Sequence, residues 1–117
     1  MEQIMLKDRV VKLAIDVIDV CKLLDQKKQP TIAKQLLRSA TSIGACIHES
    51  QHAESPDDFI HKMKIACKEA AETNYWFQIA AKLIILNPKL QEDLTIIYKM
   101  INKSITTARS NKLNPKH

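Results

Sequence analysis

The sequence HESQH at residues 48–52 matches the HExxH pattern of zinc proteases, in which two histidines one helical turn apart bind the metal and the glutamate activates water. Such a site needs a third ligand, and Glu72, twenty residues beyond His52, has a spacing that some of these proteases use. However, a turn predicted at residues 53–56 folds the next helix back, which leaves Glu72 about 24 Å from His52. A compact bundle also implies no open catalytic cleft. We therefore predict ordinary polar residues at a helix end, no metal and no cofactor, with a zinc hydrolase as the third alternative.

The serines and threonines offer no nucleophile with a fixed base. Ser39, Thr41 and Ser42 lie in helical context, where such hydroxyls commonly bond back to the preceding turn. The sequence also lacks a glycine-rich phosphate loop and a GxSxG elbow. A di-iron bundle needs two ExxH motifs, and Glu69 and Glu72 supply none because they have no histidine three residues later. No catalytic residue is predicted, and we do not expect an enzyme.

Polar side chains form two rows beside the apolar positions of the second and third predicted helices. The first row consists of Gln35, Arg38, Ser42 and Glu49, and the second of Lys62, Glu69 and Glu72. In antiparallel helices, Arg38 is predicted to lie near Glu69 or Glu72. Glu49 is predicted to lie near Lys62. Partly buried ion pairs fix helix register more than they add stability, so we interpret the rows as structural, with a binding surface as the alternative.

Two aromatic residues, Tyr75 and Trp76, come directly before the predicted core residue Phe77. Neighbouring helical residues cannot face the same way, so one of the two should reach the edge of the apolar stripe. Five aromatics in the whole chain are few for a single-strand binding platform. Packing within or between subunits is therefore the predicted use of this pair.

Turn and cap signals divide the chain into four segments of helical length. The segments that carry them are DQKKQPT, HAESPDDF and LNPKL. The predicted starts are either Pro30 or Thr31, then Ser55 as a cap before Pro56, and Asn87 as a cap before Pro88. Past Arg109 the sequence is polar, so residues 1–109 are predicted to form the bundle and residues 110–117 a disordered or frayed tail.

Apolar residues recur at helical spacing in every segment. In the first helix the predicted stripe is Val10, Ala14, Val17, Cys21 and Leu24, widened by Val11 and Ile18. The short connections force sequence neighbours to lie antiparallel, which predicts an all-α, up-down-up-down four-helix bundle. Gly44 stands inside the second helix, where glycine costs about 1 kcal/mol relative to alanine. We expect another helix to approach closely at the small residues around it.

The composition favours a cytoplasmic protein that contacts an anionic partner. The chain has a net charge of +5 and a sequence pI near 9.2. One glycine in 117 residues argues against an all-β fold. The N-terminus shows no export signal and no stretch could cross a bilayer, so no membrane association is predicted. The three cysteines, at 21, 46 and 67, are expected to be reduced, buried thiols.

Two segments, QLLRSATSIGACIHES and SPDDFIHKMKIACKEAAETNYWF, resemble the bacterial four helix bundle proteins of the 23S ribosomal RNA intervening-sequence family. The likeness covers roughly residues 5 to 108. The residues that match the family pattern are Gln35, Arg38, Ser39, Ser42, Ile43, Glu49, Asp58, Phe59, Lys68, Glu69, Glu72 and Trp76. Cys46 departs from the pattern, which has asparagine there.

The resemblance implies an antiparallel bundle that assembles into a ring, as a homopentamer, without a recognised catalytic set. A distant branch is similar to the accessory proteins of diversity-generating retroelements, which bind nucleic acid and help a reverse transcriptase.

We therefore predict a non-catalytic, oligomeric bundle that binds RNA or DNA with salt-dependent affinity. The candidate phosphate contacts are Lys7, Lys12, Lys34, Arg38, Lys62, Lys64 and Lys68. The alternative is a protein-interaction scaffold, such as an accessory subunit for a nucleic-acid enzyme.

Overall fold

The computed structural model describes residues 5–113, which form four α-helices joined by short turns. The helices are α1 (Leu6–Gln26), α2 (Pro30–Ser50), α3 (Pro56–Leu83) and α4 (Pro88–Leu113). Each helix packs against its neighbours in chain order, and α4 closes the bundle against α1. No strand occurs among the residues described. The predicted all-α, up-down-up-down four-helix bundle is confirmed.

Prolines and capping side chains set where the helices begin. Of the two starts left open for α2, the structure has Pro30 as the first helical residue. Ser55 caps α3, because its Oγ accepts the backbone N–H of Asp58 at 3.0 Å. Asn87 caps α4 in the same way, since its Oδ1 accepts the backbone N–H two residues further on at 3.0 Å. The last two caps are those predicted.

The turn between α1 and α2 is built without glycine. The Gln29 N–H donates to the Leu24 carbonyl at 2.9 Å, and the Lys28 N–H donates to the Asp25 carbonyl at 3.0 Å, which together close the end of α1. This geometry holds Lys28 at a φ of 60°, in the left-handed region that favours glycine. The side chain costs about 1 kcal/mol at this position compared with glycine.

One face of every helix contributes to a single apolar core. Its largest fully buried side chains include Leu13, Leu24, Leu36, Ile43, Ile47, Phe77, Ile97 and Ile101. Val11 and Ile18, predicted to widen the stripe of α1, are instead 46% and 44% exposed. The buried face of α1 is therefore narrower than predicted. It includes Leu13 and Val20 instead of Val11 and Ile18, because only one side of this helix faces the bundle. Within residues 5–113, no helix carries an apolar stretch long enough to span a bilayer.

The fourth helix is longer than predicted. We placed the end of the bundle at residue 109, whereas α4 continues to Leu113, so residues 110–113 are helical rather than part of a tail. These four residues contain no glycine or proline to stop the helix. Lys112 also forms an ion pair with Asp57 at the start of α3, which holds the last turn against the bundle. The rest of the predicted tail, residues 114–117, lies outside the described residues.

Candidate functional surfaces

Arg38 on α2 is held by two carboxylates of α3. Its Nη1 donates to Glu69 Oε2 at 3.1 Å, and its Nη2 donates to Glu72 Oε1. Gln35 Oε1 accepts from Arg38 Nε at 3.1 Å, and Trp76 Nε1 donates to Glu72 Oε1 at 3.2 Å. Arg38 was predicted to lie near Glu69 or Glu72, and it contacts both.

Hydrogen bonding in this cluster stabilises the charged forms of its members. The pKa of Glu72 lies below its usual value because the Trp76 indole N–H and then the Arg38 guanidinium donate to its carboxylate. The pKa of Arg38 is raised, mainly by its hydrogen bond to Glu72. Since the Arg38 side chain is 46% exposed, the pair is screened by solvent and serves to align α2 with α3. Donors that face two carboxylates are also poorly placed to bind a phosphate.

A buried pair of hydroxyls lies beside this cluster. Thr73 Oγ1 lies 2.9 Å from Ser39 Oγ and 2.9 Å from the carbonyl oxygen of Glu69, and both hydroxyl-bearing residues are fully buried. Ser39 Oγ donates to the Leu36 carbonyl at 3.2 Å, the back-bonding predicted for it. The sequence analysis did not predict the contact between Ser39 and Thr73. The feature that could have indicated it is Thr73 itself, a polar residue in the apolar row of α3. Buried polar atoms need partners, so this bond favours one register of α2 on α3.

A second ion pair joins α2 and α3 near their turn. Lys62 Nζ donates to Glu49 Oε2 at 3.2 Å, as predicted, and this hydrogen bond raises the pKa of Lys62. Ser42, the remaining member of the predicted row, is half-buried. Ion pairs therefore join α2 and α3 at two levels, one near their turn and one near the middle of the two helices.

The residues of HESQH do not converge on a common point. His48 Nε2 lies 3.1 Å from the carbonyl oxygen of Lys7, and Glu49 faces its lysine partner on α3. His52 lies beyond the end of α2, in the turn before α3. In the described part of the chain, no three His, Cys, Asp or Glu side chains are grouped to hold a metal ion.

The seven predicted phosphate contacts divide into two groups. Lys12 Nζ lies 2.8 Å from Asp16 Oδ2 and 3.7 Å from Asp93 Oδ2, and the hydrogen bond to Asp16 raises the pKa of Lys12. Arg38 and Lys62 are paired as described above. The exposed cations without a salt bridge to any residue of 5–113 are Lys7, Lys34, Lys64 and Lys68. Only this second group presents free charge.

Further cations on α4 were missed. Lys99, Lys103 and Arg109 are exposed and form no salt bridge with the described residues. The sequence could have indicated these unpaired cations, because it contains no Asp or Glu from residue 94 onward. The second half of α4 is therefore uniformly basic.

An uncharged, apolar surface runs along α1 and α2 on the outside of the bundle. It consists of Val11, Ile15 and Ile18 on α1 and Thr41, Gly44 and Ala45 on α2. Ile15 is 57% exposed, more than either of the other two α1 side chains. We call these six residues the α1–α2 apolar face.

Gly44 faces α1, but α1 does not require a glycine there. A Cβ at position 44 would lie 3.6 Å from the Val10 Cβ, which is an ordinary van der Waals distance. The predicted close approach of another helix is therefore not explained by α1. Alanine would fit at this position in the single subunit.

The three cysteines are free thiols within the helices. Cys21 is buried and its Sγ donates to the Ala33 carbonyl at 3.3 Å, while Cys46 and Cys67 are only half-buried, less than predicted. Burial is the main cause that raises the pKa of each thiol, so all three are disfavoured as thiolates.

Comparison with known proteins identifies the family. The sequence model of the 23S rRNA-intervening sequence proteins matches residues 2–107. The structure is similar to the 1.70 Å crystal structure of a protein of unknown function from the S23 ribosomal protein family of Bacteroides thetaiotaomicron, with a TM-score of 0.81 and 36% sequence identity over 86% of this chain and 98% of that chain. No curated protein matches the sequence. Because the family match spans almost the whole bundle, the chain belongs to the 23S rRNA-intervening sequence protein family.

Proposed function

We propose that this protein is a non-catalytic, cytoplasmic homo-oligomer that binds RNA or DNA through exposed, unpaired lysines of α3 and α4. The proposal rests on one observation, a set of lysines that no carboxylate of residues 5–113 neutralises. Four of these lysines, Lys64 and Lys68 on α3 and Lys99 and Lys103 on α4, form what we call the α3–α4 basic set. Cations of this kind release counterions when they bind phosphates, which makes affinity fall steeply with salt.

The two helices bring these lysines to one part of the molecule. Cys67 Sγ donates to Asn102 Oδ1 at 3.5 Å, so α3 and α4 touch at this level. Lys68 and Lys103 each follow one of these contact residues in the chain. The four lysines of the α3–α4 basic set therefore lie at a similar height of the bundle, where a phosphate backbone can meet several of them at once.

Filter binding of mixed-sequence single-stranded RNA and DNA tests this proposal. The double variant Lys64→Gln/Lys68→Gln should bind about tenfold or more weakly at low salt, because it removes two unpaired charges. Lys12→Gln is the matched control, since it removes a lysine already paired with Asp16 and should change affinity much less. Equal losses in both variants, at unchanged melting temperature, would mean that net charge alone and no particular surface determines binding.

The proposed assembly is a ring of identical subunits, in the pentameric form that the family resemblance suggested. The α1–α2 apolar face supports self-association because it combines projecting branched side chains with a row of small residues, so it can form one side of a head-to-tail contact between neighbouring subunits. The groove that it lines contains no Lys, Arg, Asp or Glu, which matters for subunits of net charge +5 that repel one another. A second copy would cover Ile15, the most exposed of the three α1 side chains in this face.

Mass measurement in solution tests the assembly. The wild type should have about five times the 13.3 kDa mass of one chain. Ile15→Asp should give a smaller species with unchanged helicity, and Ile85→Asp, at an exposed apolar site in a turn, is the matched control. A monomeric wild type at all concentrations would refute the ring, and a ring that survives Ile15→Asp would place its interface elsewhere.

The competing function is a protein-interaction scaffold, such as an accessory subunit for a nucleic-acid enzyme. One observation favours it: Ile85 is 97% exposed in the turn between α3 and α4, beside the exposed side chain of Leu23. A partner protein could cover these apolar side chains. Nucleic-acid binding that is absent even at low salt would favour this function over the first.

A further inference from the structure

A cleft opens between α1 and α4, the neighbouring pair of helices that packs least extensively. Its volume is about 620 Å³, within the range of about 300 to 1,000 Å³ typical of small-molecule sites. Apolar side chains of α3 and α4 form much of the lining, namely Phe59, Ile96, Met100 and Ala108. The cleft is therefore large enough, and apolar enough, to hold a flat organic group.

Two cations line the same cleft, and no acidic residue does. Arg9 contributes from α1 and Lys103 from α4, and neither forms a salt bridge with any described residue. The Nε of Arg9 is buried, and within residues 5–113 it has no hydrogen-bond partner. A buried donor without a partner is costly, so an acceptor bound at this guanidinium would be favourable. Two cations with no carboxylate among the lining residues favour an anion as that acceptor.

Neutral donors and acceptors are also left free along the α4 side of the cleft. Ser104, Thr107 and Asn111 line it. Elsewhere in the bundle helical hydroxyls such as those of Thr41 and Thr95 donate to the preceding turn. No such bond is found for Ser104 or Thr107 among the described residues, so their hydroxyls can bond to the edge of a ligand.

We propose that the α1–α4 cleft binds a single nucleotide, with its phosphate at Arg9 and Lys103 and its base against Phe59 and Met100. A nucleotide combines the three features that the lining demands: an anionic group, a flat body with an apolar face, and polar edges. The choice of a nucleotide over another organic anion rests on the proposed nucleic-acid function. In that function the cleft takes one unstacked nucleotide of a single strand, while the other three lysines of the α3–α4 basic set, Lys64, Lys68 and Lys99, hold the flanking phosphates. A free mononucleotide presents the same chemistry.

Titration with adenosine 5′-monophosphate, followed by amide NMR shifts, tests the site directly. The shifts should map to the cleft, and Arg9→Lys and Lys103→Gln should each weaken binding about tenfold, the loss of a hydrogen bond to a charged group. Arg9→Lys keeps the charge, so it isolates the contribution of the guanidinium. Lys99→Gln, one turn from Lys103 but outside the cleft lining, is the matched control and should leave mononucleotide affinity unchanged while it lowers affinity for long single strands.

Adenosine and inorganic phosphate serve as the other two probes, because each carries half of the proposed ligand. Both should bind much more weakly than the mononucleotide. Phosphate that binds as tightly as the mononucleotide would overturn the proposal in favour of a simple anion site, and tighter binding of an acidic peptide at the same residues would overturn it in favour of a protein ligand. If the wild-type protein binds single strands but not the mononucleotide, only the proposed cleft site is refuted. If it binds the mononucleotide but not single strands, only the proposed function is refuted.

Discussion

Replacement of Gly44 by alanine should raise the free energy of unfolding of the isolated subunit by about 1 kcal/mol. Glycine inside a helix is less favourable than alanine by about that amount. The new Cβ would lie 3.6 Å from Cβ and Cγ2 of Val10, so it makes an ordinary contact and forces no movement of α1. For a domain of this size the change corresponds to a rise in melting temperature of about 4 °C.

The same substitution should act in the opposite direction on the assembly. Gly44 belongs to the α1–α2 apolar face, where we propose that a second copy packs against the small residues of α2. An added methyl group, and still more the side chain of Gly44→Leu, fills the recess that the copy would occupy. We therefore expect Gly44→Ala to stabilise the subunit but loosen the assembly, and Gly44→Leu to abolish the assembly with the subunit still folded.

Urea denaturation at low protein concentration measures the first effect, and sedimentation across a concentration series measures the second. If Gly44→Ala destabilises the subunit by 1 kcal/mol or more, the new Cβ must lie closer to the Val10 side chain than 3.6 Å, which would contradict the reasoning. An assembly that Gly44→Leu leaves intact would show that this face is not the interface.

Three further experiments test the contacts between α2 and α3. Glu72→Arg should lower the urea midpoint, and the added exchange Arg38→Glu should restore part of it, so additive effects in the double variant would contradict the pairing. Ser39→Ala and Thr73→Val should each cost about 1 kcal/mol, and the double variant should cost about 1 kcal/mol less than their sum, because the hydrogen bond between the two hydroxyls is then lost only once. Because the pKa of Glu72 is lower in the folded state, its contribution is complete above the unfolded value of about 4.5 and is lost as the pH falls through the folded value. Glu72→Gln should therefore flatten the acid side of the curve of stability against pH, and an unchanged acid side would contradict the assigned shift.

Local signals in the sequence predicted most of the fold. The proline and cap residues placed the starts of α3 and α4, and the polar rows predicted the ion pairs of Arg38 and Lys62. These features depend on neighbours in the chain or on the antiparallel arrangement of α2 and α3, which their short turn dictates.

The sequence was less informative where several helices decide the outcome together. The exposure of Val11 and Ile18 depends on how α1 is rotated about its axis. The apolar stripe of α1 is wide, so the sequence pattern alone does not determine that rotation. The cleft at Arg9 arises because α4 packs loosely on α1, and no residue spacing encodes that looseness. The basic half of α4, in contrast, was visible in the composition of residues 94–117.

Strand binding across a salt series tests the central claim most directly. If four lysines of the α3–α4 basic set each neutralise one phosphate, the logarithm of the association constant for single-stranded RNA should fall against the logarithm of salt concentration with a slope of about −3. Lys64→Gln/Lys68→Gln should bring that slope to about half of the wild-type value. A wild-type affinity that is indifferent to salt, or a slope that the double variant leaves unchanged, would contradict the proposed function.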